Sequence, residues 1–276
     1  MENESIQQKL LYEPQKIKNY PLYFWRVFAK LVSLVVFAIG TILLSVVCFP
    51  ILKIIFPKKS SFKYHARHLV YVLFNVFLGF VKYLGALKIK TNKPGYLKSL
   101  KSAIVVANHP AYLDSPVMIS QLKHTSVIAK AALSKRNVMT AVINQLYMPN
   151  SLEFDEILKR SKEDLENGNT IMMFPEGTRS TKYGQNRYKK GCARISLATG
   201  CPIIPVYIGG TDKLGFGKGD KVLQYNHRET CIFDLQVKDP IYPEEFKDLP
   251  EAIAAKRMTA KIREVLDDDV NKIYRY

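Results

Sequence analysis

An uncharged run of 22 residues, from Leu31 to Leu52, constrains the fold of this 276-residue chain more than any other feature. A helix rises about 1.5 Å per residue, so a run of this length can cross a bilayer core of about 30 Å. The run starts too late and is too long for a cleaved signal peptide. It predicts an N-terminal membrane anchor, with a buried helix of a soluble core as the alternative.

The residues around this run predict how the anchor folds. Pro50 and Pro57 are expected to break the first helix, and the stretch from Phe62 to Leu87 is typical of a second, amphipathic helix. Cations flank the first helix at both ends, starting with Arg26 and Lys30, so the positive-inside rule gives no orientation. We therefore expect a hairpin that enters one leaflet, with both ends on the cytoplasmic face of the inner (plasma) membrane.

The charge of the chain predicts a negatively charged partner. The formal net charge is +17 at pH 7, and residues 1–90 hold thirteen Lys/Arg against three Asp/Glu. The positive excess thus lies beside the most apolar part of the chain. This arrangement favours a phospholipid surface and argues against nucleic acid as the partner.

After this basic, apolar region the pattern changes to alternating strands and helices. Strands are predicted at 102–107, 126–129, 170–174, 203–207 and 231–237. Helices are predicted at 150–168, opened by a capping box of Asn150 and Glu153, at 190–199, and at 244–271, with a break near Pro250. The prediction is an α/β fold, a mostly parallel sheet flanked by helices, with an N-terminal helical membrane anchor. We place the anchor at residues 1–90 and the catalytic domain at 91–276.

The first group of chemically useful residues, Asn108–Asp114, directly follows the strand at 102–107. Side chains at the carboxyl end of such a strand usually face a ligand crevice. His109 and Asp114 can fold back on each other, so that the carboxylate fixes the imidazole tautomer and leaves the other nitrogen as a base. From these residues alone, a turn histidine near a helix-starting Asp is an equally good interpretation.

A second group, Phe174–Ser180, follows the strand at 170–174. Gly177 permits a tight turn whose backbone N–H groups could face an anion. Arg179 offers a planar fork suited to phosphate, and Glu176 could orient Arg179 or a neighbouring loop. The alternative is a surface turn with a solvated Glu–Arg pair.

Together, Asn-His-(four residues)-Asp and Phe-Pro-Glu-Gly-Thr-Arg-Ser resemble the glycerophospholipid acyltransferase family, and more narrowly the 1-acylglycerol-3-phosphate (lysophospholipid) acyltransferases. The resemblance covers about residues 100–240 and includes the Pro-flanked strand Cys201–Val206. It implies that His109 is the general base and that Asp114 orients it. The residues assigned to substrate binding are Glu176, Gly177, Thr178, Arg179, Lys130 and Asn108, with Arg179 and Lys130 on the acceptor phosphate.

The resemblance also implies a reaction. A fatty acyl group would move directly from a thioester of acyl carrier protein or coenzyme A to a free hydroxyl of a lysophospholipid. With 1-acylglycerol-3-phosphate as acceptor, the product is phosphatidic acid. A backbone N–H in one of the two turns is expected to stabilise the oxyanion. No cofactor beyond the thioester is expected, and no metal, because the four cysteines and five histidines show no ligand spacing.

Two departures from the family pattern keep other functions open. The stretch Leu146–Ser151 lacks the arginine of the family's second motif, and Pro110-Ala111 lacks a serine that many relatives carry. A specialised lyso-lipid, such as an aminolipid, therefore remains an alternative acceptor. A lipid-to-lipid transacylase and a non-enzymatic, membrane-tethered protein that binds acidic lipid or nucleic acid are further alternatives. The glycines of Gly209–Gly219 predict a flexible loop near the site.

Overall fold

A computed structural model describes residues 18–129, 147–149, 152–179, 187–217, 219–226 and 229–273. Five residues that the sequence analysis named lie outside this part of the chain: Lys130, Leu146, Asn150, Ser151 and Ser180. The predicted contact of Lys130 with the acceptor phosphate therefore stays a prediction.

The described chain forms an N-terminal helical segment followed by a sheet with helices on both sides. The helices are α1 (Tyr20–Leu43), a π-helical turn (Leu44–Cys48), α2 (Phe49–Ile55), α3 (Lys59–Tyr83), α4 (Tyr96–Ser99), α5 (Asp114–Ile119), α6 (Phe154–Glu166), α7 (Gly191–Thr199), a 3₁₀ turn (Pro243–Phe246) and α8 (Glu251–Ile273). The strands are β1 (Leu87–Thr91), β2 (Ile104–Ala107), β3 (Thr125–Ala129), β4 (Tyr147–Pro149), β5 (Thr170–Met173), β6 (Ile203–Gly210) and β7 (Cys231–Val237).

Seven strands form one sheet in the order β1-β7-β6-β2-β5-β3-β4. All neighbouring pairs are parallel except β6 and β7, which confirms the predicted α/β fold with a mostly parallel sheet. In the centre, β2 lies between β5 and β6, with Val106 opposite both Met173 and Pro205. The carboxyl ends of β2 and β5 therefore meet at one edge, and each strand leads there into one of the two motifs.

The sheet separates two apolar cores. One core contains the inner side chains of α1 and α3, such as Val27, Ala66 and Val70, together with Val105 and Met172 of the sheet. The other core lies under α6, α7 and α8. The N-terminal helices thus form one covering layer of the sheet, because their inner faces share its core.

The first helical segment is longer than expected and continues past Pro50. It runs without interruption from Tyr20 to Ile55, so the predicted break at Pro50 is wrong. Proline has no N–H to donate, and the π-helical turn just before it accommodates the shifted hydrogen bonding. The helix ends just before Pro57, as expected from the steric limit that a proline sets on the preceding residue.

The two long helices pack as a hairpin, as predicted. Phe37 lies against Phe74 and Phe77, with ring centroids 6.3 and 5.3 Å apart, and Phe49 meets Phe62 at 6.1 Å. Within the described residues, the helix Tyr20–Ile55 is long and apolar enough to cross a membrane, and only 17% of its most apolar stretch is buried. Large apolar side chains of this helix face outward: Phe24, Trp25, Phe28, Val35, Ile39, Val46 and Ile54.

Three local predictions need correction. Glu153 is the residue before α6 and makes no side-chain capping bond, so the helix starts at Phe154, later than the capping box indicated. The segment Leu87–Thr91 is an edge strand beside β7, so the boundary placed at residue 90 falls inside β1. Arg26 and Lys30 lie within the helix Tyr20–Ile55 rather than before it, and both residues are buried (5% and 3% exposed).

Candidate active site

The turn after β2 brings His109 and Asp114 into contact. The Nδ1 atom of His109 lies 2.7 Å from Oδ2 of Asp114, across the turn that Pro110 begins and α5 closes. The same Oδ2 atom accepts a hydrogen bond of 2.7 Å from the Ala111 N–H. With a carboxylate on Nδ1, the neutral imidazole carries its proton there, and Nε2 is the nitrogen that can take a second proton.

Asp114 is fully buried, whereas the His109 side chain is 18% exposed. Burial raises the pKa of Asp114 above its usual range, and the hydrogen bonds from His109 and the Ala111 N–H oppose this rise. Among the described residues, Oδ1 of Asp114 has no hydrogen-bond partner. A carboxylate with so little solvation favours a positive charge on its neighbour, and therefore stabilises the imidazolium that forms when His109 accepts a proton.

The second motif supports the imidazole from the next strand. The His109 ring stacks on Phe174, with centroids 4.1 Å apart and planes 13° apart. Glu176, buried at 7% exposure, accepts the His109 N–H through Oε1 at 3.2 Å. Glu176 therefore holds the backbone of the neighbouring loop at His109, which is one of the two roles predicted for it. The stacking of Phe174 was not predicted, since nothing in the sequence pairs it with His109.

Asn108 is hydrogen-bonded to β6 through both ends of its amide. Its side-chain Nδ2 donates to the Ile208 carbonyl at 3.1 Å, and its Oδ1 accepts the Ile208 N–H at 2.6 Å. Both polar ends of this buried amide are therefore bound to β6. Asn108 thus joins the ends of β2 and β6 and fixes the backbone from which His109 projects. Its assignment to substrate binding stays a prediction.

The turn around Gly177 is tight, as predicted, but its own N–H does not face an anion. Gly177 has a φ of +64° and donates its N–H to the Phe174 carbonyl at 2.9 Å. A Cβ at this position would lie 3.0 Å from the Cε atom of Lys189, whose side chain crosses the turn. Thr178, the next residue, is half-buried. Lys189, a cation to which the sequence analysis assigned no role, thus lies against the turn of the second motif.

Arg179 is linked to the first motif through a loop after β6. Its Nη1 donates to the Gly217 carbonyl at 3.0 Å, and the preceding carbonyl, of Phe216, accepts the Tyr112 N–H at 3.0 Å. Burial raises the pKa of the Tyr112 phenol, and the nearby Arg179 charge opposes part of that rise. The loop predicted to lie near the site does so, and it joins the two motifs.

These contacts already occupy backbone N–H groups that were expected to stabilise the oxyanion. In the first turn, the N–H groups of His109, Ala111 and Tyr112 are bound to Glu176, Asp114 and Phe216, and Pro110 has none. In the second turn, Gly177 is bound to Phe174. A backbone donor from these residues would require one of these bonds to break.

No set of three or more His, Cys, Asp or Glu that could hold a metal ion occurs in the part of the chain that the structure describes. Three of the remaining histidines lie elsewhere, in a cluster with Tyr64: His124 stacks on Tyr64 and on His68, and His65 meets Tyr64 edge-on. The ring centroids of His124 and Tyr64 are 4.2 Å apart.

The fold and the site together define an α/β domain with an imidazole–carboxylate pair at the carboxyl edge of a parallel sheet. The family model described as Acyltransferase matches residues 88–209, which hold both motifs. Residues 88–209 are therefore similar to the acyltransferase family, and the resemblance seen in the motifs is confirmed.

Several relatives carry names from the same family. A 1-acyl-sn-glycerol-3-phosphate acyltransferase of Brassica napus (BAT2, chloroplastic) is 27% identical over 50% of this chain and 40% of its own length. The enzyme of that name from Escherichia coli is 28% identical over 46% of this chain and 55% of its own. A probable 1-acyl-sn-glycerol-3-phosphate acyltransferase from Mycoplasma pneumoniae is 25% identical over 70% of this chain and 75% of its own length. The alignments to the plant relatives span less than half of those proteins.

The fold also matches a solved structure. The 1-acyl-sn-glycerophosphate (LPA) acyltransferase PlsC from Thermotoga maritima aligns with a TM-score of 0.64. The alignment covers 94% of this chain and 98% of that one, at 21% identity. At this identity the match establishes the shared fold, including the N-terminal helical region.

Proposed function

We propose that this protein transfers a fatty acyl group from an acyl thioester to the free hydroxyl of a lysophospholipid. The thioester is that of acyl carrier protein or coenzyme A, and no other cofactor is used. The acceptor is 1-acylglycerol-3-phosphate and the product phosphatidic acid. The observation that carries the proposal is the contact between His109 and a buried carboxylate, beside a turn that holds Arg179.

In the proposed reaction His109 acts as the general base. Its Nε2 takes the proton of the acceptor hydroxyl while the oxygen attacks the thioester carbonyl. The carbon–sulfur bond then breaks, and the imidazolium returns the proton to the departing sulfur, so that an ester and a thiol result. Asp114 holds the imidazole in the right tautomer and stabilises its charged form in a buried site.

The acceptor phosphate would lie near Arg179, with Lys189 and the unplaced Lys130 as further cations. Arg179 already lies against the Gly217 carbonyl, so its guanidinium is oriented before substrate arrives. A planar fork suits a phosphate group. The names of the relatives, all of them acyltransferases for 1-acyl-sn-glycerol-3-phosphate, agree with this acceptor.

The site would work at a membrane surface. The outer face of the helix Tyr20–Ile55 is apolar and exposed, whereas its inner face belongs to the core of the domain. Insertion of the hairpin into one leaflet, from the cytoplasmic side, would hold the domain beside a substrate and a product that reside in the bilayer.

The test is acyl transfer by the full chain in lipid nanodiscs. The assay would use acyl–acyl carrier protein or acyl-coenzyme A as donor, a panel of lyso-acceptors, and mass spectrometry of the lipids formed. His109→Ala is expected to lower the rate by about 10²–10⁴-fold. The control is His68→Ala, which removes an exposed imidazole outside the site and should leave the rate unchanged.

Each acceptor in the panel addresses one alternative. Product from a lyso-aminolipid but not from 1-acylglycerol-3-phosphate would replace the acceptor and keep the chemistry. Product formed without any thioester would indicate transfer between lipids. Undiminished transfer by His109→Ala would refute the role of the imidazole.

A further inference from the structure

The loop after β6 connects the two motifs, and its shape depends on charged side chains. We call residues 211–217 and 219–226 the site loop. In this loop the Phe216 carbonyl accepts the Tyr112 N–H, and the Gly217 carbonyl accepts a hydrogen bond from the Arg179 guanidinium. Any shift of these carbonyls would therefore move the residue proposed to bind the acceptor phosphate.

Two charged groups of the site loop itself hold it from inside. The ammonium of Lys213 donates to the carbonyls of Gly209, Thr211 and Ile232, at 3.0, 2.6 and 2.7 Å. The carboxylate of Asp220 accepts the N–H groups of Gly215 and Gly217, at 2.7 and 2.8 Å. The flexible loop predicted from its glycines is thus a compact structure built on ionic hydrogen bonds.

A third charged group reaches the site loop from the N-terminal hairpin. The Nζ atom of Lys30, on α1, donates to the carbonyls of Gly215 and Gln224, at 2.6 and 3.0 Å. Lys30 is only 3% exposed although its helix is mostly apolar and outward-facing. One turn earlier, Arg26 donates to the carbonyls of Asn226 and Glu229.

Gly215 shows why a cation is needed at this point. Its φ is +90°, and a Cβ would lie 2.0 Å from the Gln224 carbonyl oxygen, so only glycine fits. The two sides of the site loop approach so closely here that the carbonyl oxygens of Gly215 and Gln224 both point toward Nζ of Lys30. An ammonium between them satisfies both and offsets their mutual repulsion.

We propose that Lys30 is a positioning residue for the acceptor site: it fixes the site loop, and through the Gly217 carbonyl it fixes Arg179. The membrane-facing helix thereby takes part in building the phosphate site, in addition to attaching the domain. This inference rests on the proposed function for its catalytic consequence. The anchoring of the loop is independent of it.

The test combines hydrogen exchange with kinetics on the full chain in nanodiscs. Lys30→Met should speed amide exchange in residues 213–217 and raise the KM for 1-acylglycerol-3-phosphate about tenfold, with little change in the KM of the thioester. Lys30→Arg, which keeps a cation, should restore part of both effects. The control is Lys53→Met, since Lys53 is an exposed cation on the same continuous helix.

A double-mutant cycle with Arg179→Ala tests whether Lys30 acts through the guanidinium. If it does, the double variant Lys30→Met/Arg179→Ala has the acceptor KM of Arg179→Ala alone. Additive effects, or unchanged exchange in the site loop of Lys30→Met, would overturn the proposal, as would a lowered melting temperature with normal kinetics. If the unmodified protein transfers no acyl group, the proposed function fails, and exchange alone decides whether Lys30 holds the loop.

Discussion

Arg67 on α3 and Asp164 on α6 form a buried, two-pronged ion pair that ties the N-terminal hairpin to the catalytic domain. Nη1 and Nη2 of Arg67 lie 2.9 Å from Oδ1 and Oδ2 of Asp164, and Ser126 of β3 contacts both side chains. Arg26 and Lys30 on α1 are buried as well, so each of the two long helices has buried cationic side chains that contact the rest of the domain. The hairpin is therefore held by polar bonds as well as by its apolar inner face.

Removal of one partner of this pair should strongly destabilise the protein. Arg67→Met leaves a buried carboxylate without its main partner, which costs about 3–5 kcal/mol. The measurement is denaturant unfolding in detergent micelles. The matched control is Arg160→Ala, which breaks an exposed pair of Arg160 and Glu156 and should cost less than about 0.5 kcal/mol. Equal effects of the two substitutions would contradict the assignment.

Asp114→Asn should abolish most of the activity while the protein stays folded. The amide is nearly the size of the carboxylate, but it cannot stabilise the imidazolium and favours the wrong tautomer of His109. We expect a loss in kcat of about 10²–10⁴-fold, with the KM of the acceptor nearly unchanged. Asp248→Asn, an exposed carboxylate far along the chain, serves as the control. A fall in acceptor affinity with normal kcat would show that Asp114 serves binding instead.

The strands that carry the motifs could be predicted because a buried parallel strand is a short, continuous apolar run. The prediction at 231–237 coincides with β7, and those at 102–107 and 170–174 lie within two residues of β2 and β5. β1 was missed because Leu87–Thr91 alternates leucine and isoleucine with lysines at the edge of the sheet. β4 was missed because it has only three residues.

The contact of His109 with Asp114 could also be predicted, because five residues and a proline determine it locally. The contacts of Arg179 and Lys30 could not. Both side chains bind backbone carbonyls of the site loop, far away in sequence, and a carbonyl carries no residue-specific signal. The bonds of Asn108 to β6 could not be predicted for the same reason, since its partner is the backbone of Ile208.

Asn108→Ala should therefore lower stability before it affects chemistry. The substitution leaves the N–H and the carbonyl of Ile208 without their partner in a buried place, at about 1–3 kcal/mol for each group. Asn92 offers a matched comparison: its amide makes the same pair of bonds to Val237, but it is exposed, so water can replace it in Asn92→Ala. Thermal unfolding of both variants would check the difference. Equal melting temperatures would indicate that Asn108 does not hold β6.

His124 should make the protein less stable in mild acid. Its ring stacks on Tyr64, and its buried Nδ1 has no partner among the described residues. Burial lowers the pKa of His124 below 6.5, and the positive charges of His68, Arg67, Lys123 and His65 lower it further. The folded state thus binds this proton less readily than the unfolded state. The contribution of His124 to the free energy of unfolding is therefore fully present above pH 6.5. It falls as the pH drops below that value and levels off below the pKa of the folded state.

His124→Phe tests this dependence, because phenylalanine keeps the stacked ring and cannot be protonated. We expect the variant to match the parent in melting temperature at pH 7.5 and to exceed it at pH 5.5, when both are measured in detergent micelles. Because His65 and His68 remain in the variant, any acid sensitivity that they cause is common to both proteins and cancels. The same loss of stability between pH 7.5 and 5.5 in both proteins would show that His124 takes up its proton equally in the folded and unfolded states.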